Sequence, residues 1–193
     1  LTPEWIARYE IRQAVRRRAA ARLADGGDPG DGPPPPEPEP NRFQVAALEW
    51  LEEQRRNGGR RALVALATGL GKTLQTCAAF EDLEDQVLIF VPASLKFNWR
   101  DEIAKWLPTD RVIVIHGNKK ERIEQWHNAH KNRAKWIIAN YELLIHDKEI
   151  HDTAAHEWGA IVCDEADRIA NPRAQTTRNV KALRAKRKVA LTG

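Results

Sequence analysis

The sequence predicts an α/β domain with a mostly parallel sheet flanked by helices, and three observations predict it. From residue 43 onward, short and nearly continuous apolar runs alternate with amphipathic stretches of helical length. That is the pattern of strands buried on both faces by crossover helices. One run, Leu63-Val64-Ala65-Leu66-Ala67, breaks into Thr68-Gly69-Leu70-Gly71-Lys72-Thr73 and then Leu74-Gln75-Thr76-Cys77-Ala78-Ala79-Phe80, which reads as strand, glycine turn and helix. Another, Gly159-Ala160-Ile161-Val162-Cys163, ends in the adjacent carboxylates Asp164 and Glu165, where an α/β sheet places its ligands.

The elements follow in order. Residues 3–24 read as a helix: Thr2 can cap it, Pro3 suits its first position, Glu4 favours its dipole, and Ala, Arg and Gln propagate it. Arg8, Arg12 and Arg16 form a basic stripe beside Ile11 and Val15, which a solvated helix face explains better than a contact with DNA. The stretch 26–40 (GGDPGDGPPPPEPEP) cannot bury a core, and its prolines favour an extended linker. The expected organisation is therefore a basic helix over 1–25, a linker over 26–40 and a globular domain over 41–193. Within that domain, strands are expected at 61–67, 87–91, 111–116, 136–140, 159–163 and 187–191. Helices fit 43–57, 72–83, 95–106, 118–131, 141–149 and 173–185, the last begun by Asn171 as cap and Pro172.

Composition bounds the function. A chain of 193 residues that is 42% hydrophobic suits one globular domain plus an appendage. Cys77 and Cys163 lie in apolar surroundings, which fits buried, reduced thiols in an intracellular protein of the cytoplasm or nucleoid rather than a disulfide-rich secreted one. No apolar run approaches the ~18 residues of a membrane span, and no signal peptide is visible, so no membrane role is expected. The net charge of +4 is compatible with nucleic acid. It is uneven: residues 1–25 carry six Arg against three acids, and 26–40 carry four acids and no base.

The glycine turn and the acid pair carry the chemistry. Gly69 and Gly71 allow the backbone N–H groups to turn inward without a Cβ in the way. The helix N-terminus adds partial positive charge at the same place. Lys72 would reach the β- and γ-phosphates of a nucleotide, and the Thr73 hydroxyl would take a Mg²⁺ position. Leu66 stands where the strict phosphate-loop pattern has Gly. Asp164 could hold Mg²⁺ directly or through water, and Glu165 could orient or deprotonate an attacking water.

Other features have plainer explanations. His127 and His130 are spaced as metal ligands can be, but no Cys or third ligand joins them, and a surface helix accounts for both. His146, His151 and His156 match no helix face. Trp50, Trp99, Trp106 and Trp136 read as core residues rather than base-stacking platforms. The run Lys181, Arg184, Lys186, Arg187 and Lys188 reads as cations closing a helix C-terminus.

Together these motifs resemble the first, RecA-like P-loop lobe of a superfamily 2 helicase-like ATPase (DEAD/DEAH-box related), most closely the Snf2 type of DNA translocase. The resemblance runs from about residue 41 to 193. Arg42-Phe43-Gln44 with Ala47-Leu48-Glu49-Trp50-Leu51 resembles the Q motif, with Arg42 in place of a proline. Ala67 to Thr73 matches motif I, although Snf2 members more often read D-E-M-G-L-G-K-T. Val91-Pro92-Ala93-Ser94-Leu95 with Asn98, Trp99 and Glu102 resembles motif Ia, and Ile138-Ala139-Asn140-Tyr141-Glu142-Leu143-Leu144 resembles motif Ib. Asp164 to Asp167 resembles motif II, with Asp167 where Snf2 proteins usually carry His, and Ala190-Leu191-Thr192-Gly193 resembles the opening of motif III.

The resemblance implies ATP and Mg²⁺ as cofactors and duplex DNA, more than single strands, as partner. Gln44 would read adenine, and Thr68, Gly69, Leu70, Gly71, Lys72 and Thr73 would hold the phosphates and metal. Asp164 and Glu165 would serve metal and water, while Pro92, Ala93, Ser94, Asn140 and Tyr141 would lie along DNA phosphates. It also implies a second lobe, from a longer product or a partner, that supplies an arginine finger; this lobe alone is expected to be nearly inactive as an ATP hydrolase. Two alternatives remain open. Ala67-Thr68 and Asp167 fit a strand-separating helicase or restriction-type motor subunit, and a free-standing lobe could bind nucleotide or DNA without catalysis.

Overall fold

The computed structural model describes residues 50, 53, 54, 56–65, 71–81, 83–147 and 156–193, which belong to a compact unit spanning Ala46–Gly193. The expected basic helix, the proline-rich linker, Gln44 and the loop residues Thr68, Gly69 and Leu70 lie outside the described residues. So does most of the helix expected over 43–57, of which Trp50, Glu53, Gln54 and Arg56 are helical.

Six strands form one sheet: β1 (Arg61–Ala65), β2 (Val87–Val91), β3 (Val112–Val114), β4 (Trp136–Asn140), β5 (Trp158–Cys163) and β6 (Ala185–Thr192). Their spatial order is β1-β6-β5-β2-β4-β3, and every neighbouring pair is parallel. Among the described residues, five α-helices lie between successive strands: α1 (Lys72–Phe80), α2 (Lys96–Trp106), α3 (Lys119–Lys131), α4 (Leu143–His146) and α5 (Gln175–Ala182). Among the described residues no helix is long and apolar enough to cross a membrane.

The two-residue period of a strand sorts the core into two layers. Val87, Ile89 and Val91 of β2 pack with Ile138, Val162 and Leu191 under α1 and α2, against Cys77, Phe80, Trp99 and Ile103. Leu88 and Phe90 turn to the other face with Ile137, Ala139, Ile161 and Cys163, and meet Trp126 and Ala129 of α3, Leu144 of α4 and Val180 of α5. Burial on both faces is why β2, β4 and β5 read as unbroken apolar runs. The edge strand β1 differs: its Leu63 is 62% exposed.

Several local expectations change. The last helix begins at Gln175 with Ala174 as its cap; Asn171 instead closes the preceding turn, its Oδ1 accepting from the Arg173 N–H at 3.0 Å. Ala185 and Lys186 extend β6 back beyond the expected 187–191, so the basic run from Lys186 to Lys188 lies in the strand rather than at a helix end. Lys188 still serves the helix, since its Nζ donates to the carbonyls of Val180 and Lys181 in the last turn of α5 at 3.2 and 3.0 Å. The helix expected over 118–131 is bounded as the capping rules require: Asn118 and Glu121 exchange side chain-to-backbone hydrogen bonds in a capping box. Trp99, Trp106 and Trp136 are buried as expected, but Trp50 is 40% exposed. Of the histidine pair, His127 is exposed while His130 turns inward against Trp158 and His156, and no third metal ligand gathers there among the described residues.

Because all strands run the same way, their carboxyl ends share one edge of the sheet. Gly71 and Lys72, the 3-10 turn Ala93–Leu95, His116, Tyr141 and the Asp164-Glu165 corner meet on it. The sequence-predicted site residues that are described, Lys72, Thr73, Pro92, Ala93, Ser94, Asn140, Tyr141, Asp164 and Glu165, lie there.

Candidate nucleotide site and its supports

The approach to α1 is set by Gly71, whose φ of 77° lies in the left-handed region; a residue with a Cβ would be strained by about 1–2 kcal/mol there. This places Lys72 at the first turn of α1, where the N-terminal N–H groups and the helix dipole favour an anion. Thr73 follows, partly buried in the same turn.

The Lys72 ammonium lies 3.9 Å from Asp164 Oδ1 and 3.6 Å from Glu165 Oε1. Those separations allow attraction but not hydrogen bonds. Both Lys72 Nζ and Asp164 Oδ1 are buried without a hydrogen-bond partner. Two opposite charges left in this state define a gap rather than a finished ion pair, because a completed buried pair satisfies its donors and acceptors. A phosphate oxygen beside Lys72 and a divalent cation beside Asp164 fit those vacant valences. Glu165 occupies the left-handed region with φ of 49°, a strained conformation for a residue with a side chain and one that concentrates at functional corners.

Asp164 is only 4% exposed and is held from three sides. Its backbone N–H donates to the Phe90 carbonyl at 2.8 Å. The Trp99 indole N–H donates to Oδ2 at 2.9 Å, and the Tyr141 hydroxyl donates to its backbone carbonyl at 2.6 Å. The indole thus takes one carboxylate oxygen and leaves the other towards Lys72. Burial raises the Tyr141 pKa, with the neighbouring Cys163 and Asp164 adding to the effect, so the phenol keeps the proton it donates. Burial likewise pushes the Cys163 thiol up to about 12, which makes it an inert core residue.

The five residues expected along DNA divide by exposure. Ala93 and Ser94 are exposed in the turn after β2, whereas Pro92, Asn140 and Tyr141 are buried. Tyr141 stacks on Phe90 with ring centroids 5.7 Å apart, and its hydroxyl is committed to Asp164. Asn140 accepts from Lys96 Nζ at 2.9 Å and donates to Glu142 Oε2 at 2.7 Å, so both ends of its amide are engaged. Of the five, Ala93 and Ser94 are thus the ones open to a ligand, and the other three shape the edge.

Sequence reasoning missed the residues beneath that edge. Lys96 is buried, its ammonium bonded to the Ile115 carbonyl at 2.8 Å as well as to Asn140. Burial lowers its pKa, Arg122 adds to the lowering, and Glu142 opposes it. The Asn140 hydrogen bond holds Glu142 below the ordinary carboxylate value. A signal for Lys96 existed: it precedes the buried Trp99, Ile103 and Trp106 at helical spacing, so its position belongs to the core face of α2. Arg122 forks onto the fully buried Asp147, at 2.8 Å from Nε and 2.7 Å from Nη2, and ties α3 to the end of α4.

The chain is similar in sequence and fold to known proteins. The family model described as SNF2-related domain matches residues 43–193. Helicase SWR1 of Cryptococcus neoformans var. neoformans serotype D (strain B-3501A) is 35% identical over 160 residues, covering 78% of this chain and 12% of that protein. The ISWI chromatin-remodeling complex ATPase ISW2 of Saccharomyces cerevisiae is 34% identical over 158 residues, covering 78% of this chain and 14% of that protein. The solved Sulfolobus solfataricus SWI2/SNF2 ATPase core in complex with dsDNA matches with a TM-score of 0.68 at 31% identity, over 81% of this chain and 32% of that one. The chain therefore spans about an eighth of the length of those two curated relatives and about a third of the solved core.

Proposed function

Since the chain belongs to the SNF2-related domain family, we propose that it is the ATP-binding lobe of a DNA-dependent ATPase that moves along duplex DNA once a second lobe completes it. The observation that carries this reading is the pair of buried, unsatisfied, opposite charges at the carboxyl edge of the sheet, Lys72 Nζ and Asp164 Oδ1. Lys72 would neutralise phosphate charge, Thr73 and Asp164 would hold Mg²⁺, and Glu165 would orient the water. Gln44 would read adenine, and the backbone of Thr68, Gly69, Leu70 and Gly71 would cradle the phosphates. Bound Mg²⁺ would supply electrostatic stabilisation of charge developing on the phosphoryl group.

Duplex DNA is the nucleic acid we assign, on the strength of the solved relative's description as a complex with dsDNA and of the exposed Ala93-Ser94 turn on the same edge. Backbone amides and a hydroxyl there would meet phosphates without reading sequence. Residues 41–193 would form the lobe, with 1–25 and 26–40 as a separate helix and linker. Arginine delivered to the γ-phosphate by the second lobe would be worth about 10³–10⁵ in rate, by analogy with related P-loop enzymes.

Fluorescence anisotropy with labelled DNA tests the partner. Duplex should bind more tightly than a single strand of equal length, and affinity should fall steeply with salt. A clear preference for single strands would overturn the duplex assignment and favour a strand-separating helicase. Phosphate release with and without duplex, against a Glu165→Gln background, tests the need for a second lobe. Residues 1–193 alone should turn over only a trace of ATP, whereas DNA-stimulated turnover of several per second would contradict the two-lobe reading.

A further inference from the structure

Asp164 is a junction between the two segments of this edge that follow β2 and β4. Trp99 lies on α2, which continues directly from the exposed Ala93-Ser94 turn, and its indole fixes Asp164 Oδ2. Tyr141 opens the turn after β4, and its hydroxyl fixes the Asp164 carbonyl. The two segments are also joined to each other, because Lys96 in the first turn of α2 bonds Asn140 beside Tyr141. Tyr141 cannot swing independently, being buried and stacked on Phe90 of the strand that also accepts from the Asp164 N–H. A displacement of either segment must therefore move the carboxylate whose free oxygen faces Lys72, or break one of two hydrogen bonds.

We propose that Trp99 and Tyr141 are positioning residues that couple DNA binding to Mg·nucleotide binding, by setting the orientation of the Asp164 carboxylate from the segments that follow β2 and β4. This rests on the nucleotide and DNA reading above. Coupling of this kind is reciprocal: whatever factor DNA adds to nucleotide affinity, nucleotide adds to DNA affinity. Trp99 acts on the carboxylate directly and Tyr141 through the backbone, so each should contribute separately. The molecule also supplies a matched control. Trp136, at the amino end of β4, donates its indole N–H to Asp110 Oδ2 at 2.8 Å, the same bond at the opposite edge of the sheet.

The test measures affinity of the 193-residue chain for a non-hydrolysable Mg·ATP analogue by calorimetry, with and without saturating short duplex DNA, in four proteins. In the unsubstituted chain, DNA should tighten nucleotide binding by on the order of fivefold or more. In Tyr141→Phe, which keeps the ring stack and loses only the hydroxyl, and in Trp99→Phe, each ligand should still bind alone while that factor falls towards one. Trp136→Phe should retain it. Full coupling in both Tyr141→Phe and Trp99→Phe would overturn the inference, as would equal loss in Trp136→Phe or no coupling in the unsubstituted chain. Failure of the unsubstituted chain to bind nucleotide at all would instead remove the functional reading on which the inference stands. Circular dichroism melts verify folding, and if Trp99→Phe does not fold, Tyr141→Phe alone decides.

Discussion

Two tryptophans donate to two aspartates at opposite ends of one sheet, and one of the pairs lies at the candidate nucleotide site. At the amino end, Trp136 bonds Asp110 at 2.8 Å; at the carboxyl end, Trp99 bonds Asp164 at 2.9 Å. The bonds are alike, but the surroundings are not. Asp110 is partly exposed in the turn before β3, so water can reach it. Asp164 is buried, and its second oxygen has no donor while an equally unsatisfied ammonium stands 3.9 Å away. The amino end has buried orphans of its own, His130 Nε2, His156 Nε2 and Trp158 Nε1, but these are neutral at ordinary pH. A neutral orphan costs about 1–3 kcal/mol, whereas an unpaired buried charge costs considerably more. A fold that leaves opposite charges apart within reach of each other is keeping room for a ligand.

The largest expected contrast comes from neutralising each aspartate. Asp164→Asn should weaken Mg-dependent nucleotide binding ~30-fold or more, the scale of removing one partner from a buried charge contact. Asp110→Asn should leave nucleotide affinity unchanged in the same calorimetric titration. Similar losses in both would mean that the two ends are not functionally distinct.

A smaller effect sharpens the comparison. Trp99→Phe and Trp136→Phe each remove an indole–carboxylate hydrogen bond, so each should lower stability by about 1.5–3 kcal/mol in urea unfolding. Matching stability losses with unlike effects on ligand coupling would separate structural support from positioning. A much smaller loss for Trp99→Phe would show that its bond to Asp164 is weak in solution.

The smallest effect is a pH dependence confined to the amino end. Burial, reinforced by the neighbouring His156 and His127, holds His130 below the ordinary imidazole value of 6.5; burial also lowers His156, against the pull of Asp85. The unfolded chain therefore binds these protons at a higher pH than the folded one. Their contribution is fully present above about 6.5 and is lost as the pH falls towards the lower folded values. The melting temperature should drop by a few degrees between about pH 7 and about pH 5, and His130→Gln with His156→Gln should flatten that slope. An unchanged slope in the double variant would place the acid sensitivity elsewhere.

What could be read from the sequence depended on how local each cause was. β2 and β4 span 87–91 and 136–140, as expected, because strands buried on both faces are bounded sharply by polar turns. The meeting of Lys72, Asp164 and Glu165 at the carboxyl edge was legible too, since a glycine turn and a strand-end acid pair are local signals in a parallel sheet. β6 reaches back to Ala185, beyond the expected 187–191, because Lys186, like Lys188, looks like a helix-end cation. Their partners, Asp85 at 2.6 Å and the carbonyls of α5, are tertiary. The hydrogen bonds of Trp99 and Tyr141 to Asp164 were hidden for the same reason: their partner is 65 and 23 residues away, and a tryptophan at core spacing gives no sign that its N–H holds a carboxylate.

Titration of the chain with Mg·ATP against Lys72→Ala asks whether the gap between Lys72 and Asp164 is a phosphate site. Lys72 contributes a charge to that gap and little to either core layer, so the variant should keep its circular dichroism spectrum and lose nucleotide binding. Equal nucleotide affinity in a folded Lys72→Ala variant would contradict the assignment of the phosphate-binding loop.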